Sequence, residues 1–70
     1  MNEFIFHSIP DPYSGNMIEV FGEEGMGSYD FRLVKDGRVL YQSNMMYGMA
    51  GIALRDALNL FTSDDFQVPA

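Results

Sequence analysis

Residues 50–61 read Ala-Gly-Ile-Ala-Leu-Arg-Asp-Ala-Leu-Asn-Leu-Phe, and their spacing decides the fold. Ala50, Ala53, Leu54, Ala57, Leu58 and Phe61 recur at the intervals that put side chains on one face of an amphipathic helix. Arg55, Asp56 and Asn59 fall off that stripe. Three alanines on the buried face let a helix backbone sit close to a sheet crowded with aromatic residues. Ser43 or Asn44 is a candidate cap for the start, with Gly48 a later one.

Everything before this helix reads as extended chain. Residues 3–9 are rich in aromatic and β-branched side chains and run into Pro10-Asp11-Pro12, which turns the chain through Ser14-Gly15. Residues 16–22 form a second strand, followed by a glycine-punctuated loop over 22–27. Residues 28–35 and 38–43 form the third and fourth strands. Two registers are open for their hairpin. A two-residue Asp36-Gly37 loop pairs Leu33 with Leu40 and mixes apolar and charged residues on each face. A three-residue Lys35-Asp36-Gly37 loop opposes Leu33 to Val39 and Phe31 to Tyr41, which separates the faces better and is the preferred reading.

The expected fold class is therefore α+β: an antiparallel sheet of three or four strands packed against one C-terminal helix, in a single domain spanning residues 1–70. The face toward the helix is expected to carry Phe4, Phe6, Ile18, Val20, Phe31, Leu33, Val39 and Tyr41. The opposite face would then hold Ile5, Met17, Phe21, Val34 and Leu40 among the charged Glu3, Glu19, Asp30 and Arg32, with His7 and Gln42. So many large apolar residues leave three readings open. That face forms a homodimer, or it meets another partner, or the strand phases differ from those assumed.

Composition narrows the function. Seventy residues hold one small core without cysteine, and ten acids stand against four bases, for a net charge of −6. Such a charge opposes direct binding to nucleic acid or to an anionic membrane, and it suits a basic protein surface. With one histidine and no cysteine, neither a metal site nor a cofactor is expected. An acid at position 3, no base before Arg32 and no long apolar run lead us to expect no secretory signal or membrane span, and a cytoplasmic location. No Ser-His-Asp constellation, phosphate-binding glycine loop or calcium loop has the required spacing. The chain is expected to be non-enzymatic, with no catalytic residues.

The charge is also unevenly spread. Residues 32–38 carry three bases and one acid, net +2, while the rest carries nine acids and one base, net −8. Glu19, Glu23 and Glu24 gather around the second strand and its loop. Asp30 lies on the third strand. Asp64 and Asp65 follow the helix, where they oppose its dipole unless the helix ends earlier and Ser63 or Asp64 caps a following turn. Alternate residues on a strand stand about 6.8 Å apart, close to the spacing of phosphates along a nucleic-acid strand. These six acids are the candidate partner-binding charges. Met45, Met46 and Tyr47 are candidate apolar contacts beside them, or else fill the gap between helix and sheet.

Two resemblances follow. The run Tyr29-Asp30-Phe31-Arg32-Leu33, then Asp36-Gly37-Arg38-Val39-Leu40-Tyr41-Gln42-Ser43, with Tyr47, Ala53 and Ala57-Leu58 beyond, resembles the ββα unit of YegP-type proteins. That likeness implies strand–strand–helix packing and says little about activity; a small interaction or dimerisation module of this type, without a catalytic role and using the outward sheet face, is the alternative function. In kind, a solitary, cysteine-free, acidic chain of this size is similar to anti-CRISPR inhibitors of phages and mobile elements. Several of these act as nucleic-acid mimics. That resemblance implies a basic DNA-contacting surface of a CRISPR effector, type I Cascade foremost, as partner, and it transfers no residues.

Overall fold

The computed structural model describes residues 2–11 and 14–67. Four strands, β1 (Glu3–Pro10), β2 (Met17–Glu23), β3 (Tyr29–Lys35) and β4 (Arg38–Gln42), form an antiparallel meander in the order β1-β2-β3-β4. One helix, α1 (Ala50–Phe61), follows and packs chiefly across β2 and β3. The α+β reading holds, with four strands. Pro10 ends β1 as its last paired residue, at an edge where its missing N–H removes no ladder bond from a central strand.

The core lies where the two periodicities meet. Ile18 and Val20 of β2 and Phe31 and Leu33 of β3 are buried beneath Ala53, Ala57 and Phe61. Phe31, Tyr41, Phe61 and Phe66 pack edge to face or stacked, with ring centroids 5.0–6.5 Å apart. Such pairs add about 0.5–1.5 kcal/mol each beyond the area they bury.

Two bulges correct the expected faces. The β3–β4 hairpin turns through two residues, not three. Asp36 and Gly37 take φ of +52° and +80°, as a type I′ turn requires, and Lys35 pairs with Arg38. Val34 then opposes Val39, but Leu33 opposes Tyr41, so Leu40 is an extra residue in the ladder. The bulge recovers the segregation that a plain two-residue loop lacks. It turns Leu40 and Tyr41 onto the core and leaves Val39 exposed on the other face beside Val34. Leu40 and Val39 thus exchange their expected sides.

A second bulge, at Phe6, shifts β1 against β2, so that His7 opposes Val20 and Phe4 opposes Gly22. His7 is half-buried on the helix side rather than on the back. Phe4 and Phe6 are on the helix side as expected, but they remain 42% and 43% exposed. The helix sits over β2 and β3, and its cover stops short of this edge strand.

The helix begins later than its candidate caps. Met49 is the N-cap and makes no side-chain cap bond. Ser43 and Asn44 are engaged elsewhere, as described below. At the other end Phe61 is the last helical residue, and the Ser63 hydroxyl accepts the N–H of Asp65 at 3.2 Å. Asp64 and Asp65 therefore lie in a turn beyond the helix.

Candidate functional site

The antiparallel strands place chain segments of different character at opposite ends of the sheet. One end carries Lys35, Asp36 and Arg38 at the β3–β4 turn. The other carries Glu3 at the start of β1, Glu23 and Glu24 at the end of β2, and the segments on either side of the Tyr29–Tyr47 bridge. Six residue steps along β3 separate the two ends, roughly 20 Å at the rise of a strand. The sequence asymmetry of charge is thus a spatial one.

Two of the expected acids are tied into the fold. Asp30 is only 7% exposed. Its Oδ1 accepts the Phe31 N–H at 2.8 Å and the Ser43 hydroxyl, and its Oδ2 accepts the Asn44 N–H at 2.8 Å. It fastens the chain after β4 back onto β3, and it is not a displayed charge. Glu19 faces Arg32 directly across the β2–β3 ladder and accepts its Nε–H at 2.8 Å. Arg32 also donates from Nη2 to Glu3 at 2.9 Å, and its guanidinium lies 4.2 Å over the Phe21 ring. Burial works against charge on Arg32, but the bonds to Glu19 and Glu3 outweigh it and raise its pKa above the ordinary value.

The remaining acids separate into two places. Glu23 and Glu24 are exposed and have no ion pair among the described residues. Asp64 and Asp65 are also exposed, but Phe66 beside them packs on Tyr41 and Phe61, which holds them at the far end of the helix. The six acids do not form one surface.

The apolar candidates divide as well. Tyr47 is a structural tie. It exchanges both backbone hydrogen bonds with Tyr29, at 2.7 and 2.8 Å, and its ring lies 5.8 Å from that of Phe31. Met45 and Met46 are 66% and 70% exposed and leave the gap under the helix to other residues. Met46 and Asn44 take φ of +60° and +58°, an uncommon conformation for side-chain-bearing residues, which turns this segment outward at the acidic end.

Between these features lies a pocket of about 280 Å³ on the back of the sheet. Phe21, Gly22, Met26 and Met46 line it together with the acidic residues Glu3, Glu23 and Asp30. No lysine or arginine lines it. Gly22 matters to this corner, because a Cβ there would meet the Ser28 carbonyl oxygen at 2.6 Å. Sequence reading missed Glu3, Phe21 and Met26 as site residues. Glu3 and Met26 lie 23 residues apart, and only the meander brings them together.

No protein-family model matches the chain, and no match was found among curated proteins or solved structures. The fold and this site define the class: a small α+β domain with one acidic, methionine-flanked end. Among the described residues no helix is long and apolar enough to cross a membrane.

Proposed function

We propose that the chain is a non-enzymatic inhibitor that binds the basic, nucleic-acid-contacting surface of another protein and blocks it by occupancy. The observation that carries this reading is the end of the sheet where Glu23 and Glu24 stand exposed, with no counter-ion among the described residues, beside Glu3 and away from Lys35 and Arg38. A carboxylate-rich end on a rigid sheet steers a basic partner and sets its orientation. The likeness in kind to anti-CRISPR inhibitors supplies the partner class: the DNA-contacting surface of a CRISPR effector, with type I Cascade favoured. The rival reading, a homodimer or interaction module using the outward sheet face, has Ile5, Met17, Phe21, Val34 and Val39 in its favour. It would have to bury the Glu3–Arg32–Glu19 network, whose desolvation is costly.

Charge reversal tests the proposal. E23K/E24K should weaken effector binding and restore DNA binding by the effector, whereas D64K/D65K should do much less. Two close, exposed charge contacts support a loss of about tenfold or more. Equal inhibition by wild type and E23K/E24K, with the fold intact by circular dichroism, would sink the reading.

A further inference from the structure

We propose that the pocket beside Phe21 receives an arginine side chain of the partner, and that this residue anchors the acidic end. The inference rests on the acidic partner-binding reading above and assigns that partner a specific side chain. At about 280 Å³ the pocket falls just below the usual range for small-molecule sites, a size suited to one long side chain. Its chemistry is two-sided. Phe21, Met26 and Met46 offer an aromatic ring and polarizable thioethers to an aliphatic stem. Glu23 offers a carboxylate with no ion pair among the described residues, and Glu3 uses only Oε1 on Arg32.

The electrostatics point the same way. Glu3, Glu23 and Asp30 line the pocket and no lysine or arginine does, so the charge of its lining is negative. The protein's own Arg32 shows what this corner holds well: a guanidinium over Phe21 and forked between two carboxylates. A second guanidinium fits the chemistry better than an ammonium. It is planar, more weakly hydrated, and bonds a carboxylate through two parallel N–H groups.

The test is a titration of the full chain, carrying 13C-labelled methionine methyls, with N-acetyl-arginine amide. N-acetyl-lysine amide and the neutral N-acetyl-citrulline amide serve as comparisons. The Met26 and Met46 signals should shift saturably with the arginine probe, less with lysine and not with citrulline, while Met45 and Met49 stay in place. E23Q should weaken the arginine probe about five- to tenfold, the share of one charge-assisted contact. M46Q should weaken it at unchanged charge. Equal shifts from citrulline, equal shifts at all four methionines, or no effect of E23Q would overturn the proposal. If E23K/E24K abolishes effector binding but the arginine probe gives no localised shift, the pocket inference falls and the acidic reading stands. If the probe binds at Met26 and Met46 but charge reversal leaves inhibition intact, the pocket stands and the acidic reading falls.

Discussion

At the scale of single residues, Asp30 shows how a carboxylate can be structural. Its two oxygens hold the Phe31 and Asn44 N–H groups and the Ser43 hydroxyl. Asp30→Ala should lower stability by about 2–4 kcal/mol, read from urea unfolding, because it strips partners from several polar groups at once. Tyr47 makes a second prediction. Burial, and then the carboxylate of Asp56, raise its phenol above the ordinary value near 10. A raised folded-state pKa means the protonated phenol stabilises the fold fully below pH 10, and this is lost as pH rises through the higher folded value. Stability measured by chemical denaturation should therefore fall more steeply above pH 10 in wild type than in Tyr47→Phe. Neither role was legible from sequence. An aspartate on a strand looks the same whether it meets solvent or a returning chain. The pairing of Asp30 with Ser43 and Asn44 spans more than ten residues and carries no periodic signal.

At the scale of elements, the helix was the most legible part because its pattern repeats within the element. Ala53 and Ala57 are fully buried, as a close helix–sheet approach demands. Ala57→Leu should overpack this contact and cost about 1–3 kcal/mol, visible as a lower urea midpoint with unchanged slope. The strands were legible in extent but less so in phase. A single extra residue at Leu40 or Phe6 turns the following side chains over, and whether it is inserted depends on what the whole sheet must bury. The Asp36-Gly37 pair did carry a local signal for a two-residue turn. Face segregation favours the longer loop only where the ladder has no bulge, and the extra residue at Leu40 removes that preference. Phe4 and Phe6 illustrate a different gap. Their side of the sheet follows from alternation, but their exposure follows from where the helix lies.

At the scale of the whole molecule, charge is sorted along the strand axis, with the Lys35–Arg38 turn at one end and Glu3, Glu23 and Glu24 at the other. Binding to a basic partner should weaken with added salt. The slope of log affinity against log salt should be shallower for E23Q/E24Q than for wild type, as measured by calorimetry over a salt series. An identical slope would show that this end does not face the partner. By itself the sequence determined the α+β class, the helix face, the four extended segments and the net acidity, since each rests on composition or on periodicity within one segment. Only the tertiary structure decided which acids are free. Antiparallel pairing set Arg32 against Glu19 and Glu3, the chain after β4 closed over Asp30, and the meander gathered Glu3, Phe21, Glu23, Met26 and Met46 around one pocket. Those contacts join residues distant in the chain, where no local pattern records them.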